Sequence, residues 1–236
     1  MPIEVTPALA ISEMFYSLQG EGKDTGLPTY FIRVEGCNLA MAYGGCTYCD
    51  TRYAQLIEGS NPMTFEAIVE VVKQVQPGRI CVTGGEPLYH GETMCQFLNF
   101  LVENVNAWVT VETNGSYLIP RPKEKTGYQT SVSPSVSWNV DIKCPSSGMH
   151  AYCLYENLKL LQIGDQAKFV IGDHGDYEYA KTVLKSYPTR GHVVFQPSFG
   201  ALEPAVLADW MLKDKYPARL SLQLHKILFG PTKRGV

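Results

Sequence analysis

Three cysteines lie within thirteen residues of this chain, at positions 37, 46 and 49. Cys46 and Cys49 are separated by two residues, a spacing that lets both thiolates bind one metal centre from a single turn. Cys37 lies further upstream, with eight residues between it and Cys46. From these residues alone, a structural zinc site completed by a distant fourth ligand and an iron–sulfur cluster are about equally supported.

A second motif, Thr83 to Pro87 (TGGEP), follows a predicted buried strand. Its glycines let the backbone approach a ligand closely, and Glu86 could accept a hydrogen bond from an ammonium group. A 4Fe–4S cluster held by only three thiolates leaves one iron free to bind the amine and carboxylate of S-adenosylmethionine (SAM). The chain has no second Cys-x-x-Cys and no close histidine pair. The combination therefore favours the cluster over zinc.

The other four cysteines are scattered through predicted strands and helices, and we interpret them as small buried hydrophobic residues: Cys81, Cys95, Cys144 and Cys153. The chain has seven cysteines in all, and this odd count argues against a disulfide framework. The net charge is −3, with no basic stripe, so we expect no nucleic-acid partner. No apolar run approaches the length of a membrane span and no signal peptide is evident, so we expect a cytoplasmic protein without a membrane partner.

Short β-rich runs alternate with helical patterns along the whole chain, and no linker divides it. We therefore predict one domain over residues 1–236, an α/β partial barrel of about six parallel β/α units. Strands are predicted at 30–34, 79–83, 108–112, 140–142, 169–171, 192–195 and 220–224. Helices are predicted after Thr64, from about 97 to 105, and at 154–161, 177–187 and 206–212. In such folds chemistry gathers at the carboxyl ends of the strands, where both motifs fall.

Together the motifs resemble the radical SAM superfamily. The chain differs from most members in having eight residues rather than three between its first two cysteines. Within the superfamily it resembles the 7-carboxy-7-deazaguanine synthase family, with matching segments in the same order over nearly the whole chain. These are SLQGEG (17–22), FIRVEGCNL (31–39), CDT (49–51), TGGEP, ETNG (112–115), DIKCPSSGM (141–149) and LHK (224–226).

The resemblance implies a reaction in the pathway to queuosine and archaeosine. A 5′-deoxyadenosyl radical takes hydrogen from C6 of 6-carboxy-5,6,7,8-tetrahydropterin. The ring then contracts to 7-carboxy-7-deazaguanine with loss of ammonia, and the returned hydrogen regenerates SAM. No side chain is assigned a certain catalytic role, because SAM carries the radical chemistry. The implied cofactors are the 4Fe–4S cluster, SAM and Mg²⁺.

The matching positions imply a role for individual residues. Cys37, Cys46 and Cys49 would ligate the cluster, and Thr51 would bind Mg²⁺. SAM would contact Tyr48, Cys49, Asp50, Gly85, Glu86, Asp141, Ile142, Lys143, Gln196, Pro197, Ser198 and Phe199. The pterin would contact Leu18, Gln19, Gly20, Glu21, Arg33, Thr83 and His225, with Arg33 holding the carboxylate. Asp141 to Lys143 are preferred over Ser133-Pro134 as the SAM-binding match because they keep the register with the following residues.

Two other functions share part of this pattern. An activase that places a radical on a glycine of a partner protein would also carry the cysteines and GGEP, but Arg33, SLQGEG and Thr51 indicate a small anionic substrate. A zinc-stabilised binding module is the remote alternative. For the enzyme we expect an electron donor such as flavodoxin or ferredoxin, and a homodimer. We also expect His225 and Lys226 to end the last strand, with Thr232 to Val236 ordering over the pocket when substrate binds.

Overall fold

The computed structural model of the protein describes residues 7–57, 62–121 and 127–236. In these ranges a nine-stranded sheet forms the centre of the molecule, with strand order β3-β1-β2-β4-β5-β6-β7-β8-β9. The strands are β1 (Ala8–Leu18), β2 (Pro28–Val34), β3 (Pro62–Thr64), β4 (Arg79–Gly84), β5 (Trp108–Thr113), β6 (Val136–Asp141), β7 (Gln166–Ile171), β8 (His192–Pro197) and β9 (Arg219–Leu220).

Seven of these strands run parallel, from β2 through β4 to β9. β1 pairs antiparallel with both β2 and β3, so β1 and β3 form an antiparallel edge on the β2 end of the sheet. The two edge strands, β3 and β9, are not hydrogen-bonded to each other within the described residues, so the sheet is open. The architecture therefore agrees with the predicted partial barrel, extended by an antiparallel edge.

The helices are α1 (Asn38–Tyr43), α2 (Phe65–Val75), α3 (Glu92–Asn104), α4 (Asn157–Leu160), α5 (His174–Ser186), α6 (Pro204–Asp214) and α7 (Leu224–Phe229). The Thr64 hydroxyl accepts a hydrogen bond from the Ala67 amide and caps α2, as predicted. The buried face of α2 is Phe65, Ile68, Val69 and Val72, which pack into the main core with α3. Among the described residues, no helix is both long enough and apolar enough to cross a bilayer.

The structure differs from the sequence-based prediction in three places. β1 was not predicted, because a bulge between Ile11 and Glu13 interrupts the two-residue alternation that marks a strand. The helix expected at 154–161 is only Asn157–Leu160. The strand expected at 220–224 is only Arg219–Leu220, and His225 and Lys226 lie in α7 rather than at the end of a strand.

The loop after β1 connects the two sides of the open sheet. The Leu224 amide at the start of α7 donates to the Gly20 carbonyl oxygen at 2.8 Å. The Gly22 amide donates to the Ser221 hydroxyl at 2.9 Å. A Cβ on residue 20 would overlap the His225 ring, so glycine lets this ring pack directly against the loop. These bonds join loop 19–24, which connects β1 and β2, to the chain that follows the edge strand β9.

Candidate active site

A cavity of about 560 Å³ opens at the carboxyl ends of the parallel strands. The cavity is lined by residues from the ends of β1, β2, β4, β5, β6, β7 and β8. The chain after β9 and the segment that contains the three cysteines (residues 36–55, called the cysteine segment below) also line it. Most of the residues singled out from the sequence lie in this one lining, although they are up to two hundred positions apart. The cavity therefore lies at the strand ends, where the sequence predicts that the chemistry gathers.

The long segment between the first two cysteines folds as a short helix. Cys37 directly precedes α1, whose Leu39 is almost fully buried and anchors the helix. Gly44 ends the helix in a left-handed conformation, at φ 85°, and Gly45 continues the turn at φ 81°. The glycine pair returns the chain to Cys46, and of the eight residues between Cys37 and Cys46 only Leu39 lines the cavity.

Cys37, Cys46 and Cys49 are partly buried free thiols that all line the cavity. Burial raises the pKa of Cys37 and of Cys46, while the Lys143 ammonium partly offsets the shift at Cys46. Within the described residues, no three Cys, His, Asp or Glu side chains converge closely enough to bind one metal ion. The thiolates of a 4Fe–4S cluster bind separate irons and need no common point, so three cysteines in one cavity lining are compatible with cluster ligation.

The two glycines of TGGEP are required by close approach of the backbone from β2 and the cysteine segment. A Cβ on Gly84 would lie 2.7 Å from the Val34 nitrogen. A Cβ on Gly85 would lie 2.6 Å from the Ala54 carbonyl oxygen and closer still to that of Gly36. Both glycines also line the cavity. Only a residue without a side chain therefore fits between the backbone before Cys37 and the cavity.

Glu86 has a different environment from the one expected. Its side chain is fully buried, and its carboxylate accepts from the Leu88 amide at 2.9 Å, the Thr113 hydroxyl at 2.7 Å and the Asn114 amide at 2.6 Å. Burial raises the pKa of Glu86 to about 7, against the lowering effect of these donors. Glu86 therefore joins the ends of β4 and β5 and does not face the cavity.

Arg33, at the end of β2, is held from one side. Its Nε donates to Glu13 Oε1 at 2.8 Å, and the same oxygen accepts from the Tyr53 hydroxyl at 2.7 Å. Burial lowers the pKa of Arg33, but Tyr53 and Glu13 outweigh burial and raise it overall. Because described residues engage only Nε, the terminal nitrogens of the guanidinium can bind a planar anion such as a carboxylate.

A polar network from three strand ends lies beside Arg33. Gln19 Nε2 donates to Glu112 Oε1 at 3.3 Å, and the Thr83 hydroxyl donates to Glu112 Oε2 at 3.1 Å. All three residues line the cavity. Glu112 thus fixes the side chains of two predicted substrate-binding residues.

The opposite wall carries alternating charges. Lys168 Nζ lies 2.7 Å from Glu21 Oε2 and 3.8 Å from Asp141 Oδ2, which also binds Lys143 Nζ at 2.8 Å. Three buried polar atoms have no hydrogen-bond partner within the described part of the chain and belong to residues that line the cavity: Tyr48 Oη, Asp141 Oδ1 and Gln196 Oε1. Unpartnered buried polar atoms require a partner, and a polar cofactor would supply it. The residues present therefore fit SAM on this wall.

The residues after β9 cover the cavity on the side of Asp50 and Thr51. Lys226 Nζ lies 2.7 Å from Asp50 Oδ2, and the Arg234 guanidinium lies 3.5 Å from the centre of the Tyr53 ring. Thr51 precedes a 3₁₀ turn but makes no capping hydrogen bond, and its hydroxyl lies 3.7 Å from Cys49 Sγ. That contact is a hydrogen bond to the thiol, and because a hydroxyl has two acceptor positions, Thr51 can also bind a ligand in the cavity.

Among the residues described, three predicted ones lie outside the cavity lining: Glu86, Ile142 and Pro197. Ser133 and Pro134 also lie outside it, whereas Asp141 and Lys143 line it. Sequence reasoning missed Glu13, Glu112 and Lys168. A signal existed for Lys168, since a lone lysine in the apolar run of β7 requires a buried partner.

The superfamily profile described as Radical SAM superfamily matches residues 31–125. The 7-carboxy-7-deazaguanine synthase of Chlorobaculum tepidum is 37% identical over 233 residues, which cover 97% of each chain. The enzyme of the same name from Methanospirillum hungatei is 34% identical over 98% of this chain and 89% of its own. A crystal structure of QueE from Escherichia coli shares the fold, with a TM-score of 0.70 and 23% identity over 92% of this chain and 95% of that chain.

The full-length similarity covers every element that builds the cavity, from the loop after β1 to α7. The superfamily match covers the cysteine segment and the TGGEP strand. With most of its predicted site residues in one cavity, the chain belongs to the 7-carboxy-7-deazaguanine synthase family of the radical SAM superfamily.

Proposed function

We propose that this chain converts 6-carboxy-5,6,7,8-tetrahydropterin to 7-carboxy-7-deazaguanine with loss of ammonia. The observation that carries the proposal is that one cavity contains the three cysteines, the TGG backbone and Arg33. Relatives named for this activity match the chain over nearly its full length. They give no support to a glycyl-radical activase or to a zinc-stabilised binding module.

The cofactors fit the cavity from one side. Cys37, Cys46 and Cys49 would hold the 4Fe–4S cluster, and the unpartnered atoms of Tyr48, Asp141 and Gln196 would meet SAM. When bound, these groups supply a one-electron cleavage of the sulfonium that lets hydrogen be removed from an unactivated carbon. Gly85 and Gly84 keep side chains out of the space beside the cysteine segment.

Other side chains of the cavity lining would orient the pterin. Arg33 would bind the substrate carboxylate through its terminal nitrogens, with Mg²⁺ on Thr51 sharing the charge. Glu21, which is held by Lys168 and by Gln223 Nε2 at 2.7 Å, would accept from the NH groups at the ring edge. A carboxylate has about four acceptor positions, so two protein donors leave room for substrate donors.

The segment after β9 would exclude water. Residues 231–236 line the cavity, and α7 carries His225 to its rim. The proposal includes a reductant such as flavodoxin or ferredoxin, a homodimeric assembly and a cytoplasmic location.

The test is anaerobic turnover of the carboxytetrahydropterin with SAM, dithionite and Mg²⁺. We expect 7-carboxy-7-deazaguanine as product and many product molecules for each 5′-deoxyadenosine released, because the returned hydrogen regenerates SAM. Absence of this product, or consumption of one SAM per product, would contradict the proposal.

A further inference from the structure

Lys168 lies between Glu21, which the proposed function assigns to the pterin, and Asp141, which it assigns to SAM. It is the third residue of β7, is only 8% exposed, and the other five residues of this strand are all buried. A buried lysine is stable only when it is paired with acceptors, and a nonpolar residue is the usual occupant of such a position. The position therefore calls for an explanation beyond strand packing.

The ammonium of Lys168 is shared by carboxylates from two distant segments. Glu21 comes from the loop after β1 and lies at 2.7 Å, whereas Asp141 ends the neighbouring strand β6 and lies at 3.8 Å. Burial lowers the pKa of Lys168, but Glu21 and then Asp141 outweigh burial and raise it overall, so the lysine is charged. The pKa of Glu21 is lowered, since Lys168 and Gln223 outweigh the raising effect of burial.

Each carboxylate faces a different ligand in the proposed function. Asp141 Oδ2 is engaged by Lys143 and Lys168, but its buried Oδ1 has no partner within the described residues. Glu21 is engaged by Lys168 on one oxygen and by Gln223 on the other. A ligand that orders either carboxylate also orders the ammonium between them.

We propose that Lys168 is a positioning residue that couples SAM binding to pterin binding. This inference rests on the proposed function. The first ligand fixes the shared ammonium and thereby the second carboxylate, so the second ligand binds to a site that is already ordered. The coupling is therefore positive, and by linkage it is equal in both directions.

The test is isothermal titration of anaerobically reconstituted protein with SAM, with and without saturating 6-carboxypterin, an oxidised analogue of the proposed substrate. For wild-type protein we expect SAM to bind at least about five-fold more tightly when the pterin is present, the lower end of usual coupling between sites. In Lys168→Met we expect this ratio to fall to about one. Lys168→Arg keeps the charge and should restore part of the ratio.

A matched control is available on α5. Lys181 also bridges two carboxylates, Glu178 at 2.8 Å and Asp214 at 2.6 Å, but on the surface away from the cavity. Lys181→Met should keep the wild-type ratio. If Lys168→Met does not fold, Lys168→Gln replaces it, because an amide can bond Glu21 without bridging two carboxylates as a cation.

Several results would overturn the inference. One is a wild-type ratio near one, and another is a Lys168 variant that keeps the wild-type ratio, including the case where both affinities fall in parallel. Failure of the proposed function is distinguished by the turnover assay, which is run first on wild-type protein. Turnover without coupling rejects only the role of Lys168.

Discussion

Replacing Gly85 by alanine tests whether the TGG backbone fits against the cysteine segment as described. The new Cβ would lie 2.6 Å from the Ala54 carbonyl oxygen, well inside the 3.4 Å at which ordinary contact begins, and closer still to that of Gly36. Both carbonyls are engaged: Gly36 accepts from the Glu86 amide at 2.7 Å, and Ala54 accepts from the Gly36 amide at 2.9 Å. The overlap therefore involves backbone that no rotamer change can move away.

The magnitude follows from these contacts. Overpacking of this kind costs about 1–3 kcal/mol, and each weakened backbone hydrogen bond adds about 1 kcal/mol. With two such bonds the total is about 3–5 kcal/mol, which should lower the melting temperature of a chain of this size by roughly 6–20 °C. Because Gly36 precedes Cys37, the shift should also lower the iron bound after anaerobic reconstitution.

The control is Gly78→Ala, since a Cβ at Gly78 would meet nothing within 4 Å and its φ is not in the left-handed region. This variant should melt within about 2 °C of wild-type protein, in line with the small effects of surface substitutions. The measurements are thermal unfolding by circular dichroism and iron analysis. Wild-type melting and full iron content in Gly85→Ala would refute the described packing.

Four further outcomes can be measured. Cys49→Ala should lose the cluster absorption near roughly 400 nm after reconstitution while Cys81→Ala keeps it, and the reverse pattern would contradict the ligand assignment. Thr51→Ala should need more Mg²⁺ for half-maximal turnover with an unchanged cluster spectrum; an unchanged Mg²⁺ requirement would remove Thr51 from the site. Deleting residues 232–236 should raise KM for the pterin several-fold and leave SAM affinity unchanged. Wild-type kinetics would show that this segment does not take part in pterin binding. Glu86 has a folded pKa of about 7 against 4.5 unfolded, so its stabilising contribution is full below pH 4.5 and is lost as pH rises to 7. Melting temperatures of Glu86→Gln should accordingly fall less between pH 5 and pH 8 than those of wild-type protein, and an equal fall would contradict the shift.

Local sequence signals are sufficient to predict the helices and strands whose hydrophobic periodicity is uninterrupted. The apolar residues of α2 recur at helical spacing behind a threonine cap, and the run of β4 ends in two glycines, so both elements were predicted. β1 escaped prediction because its bulge shifts the alternation. α7 was predicted as extended because its start depends on the contact with Gly20, which is two hundred residues away and carries no local signal.

The same limit applied to the site. Positions in contiguous motifs, such as Cys46 and Thr83, could be assigned to the cavity because the fold class already places strand ends together. Glu112 and Lys168 could be assigned a partner only once the strand order was known. Glu86 shows the opposite case, since its motif indicated a ligand contact and tertiary packing turned the side chain inward.

The contact between loop 19–24 and α7 has a kinetic consequence. Continuous ladders join the strands of the sheet, whereas α7 is joined to loop 19–24 and to the segment after Cys49 by a few bonds, among them Leu224 to Gly20 and Lys226 to Asp50. Release of product through this seam requires none of the sheet ladders to break. We therefore expect product to leave by movement of α7 away from loop 19–24, and where this movement is slower than the chemistry, kcat should fall as solvent viscosity rises.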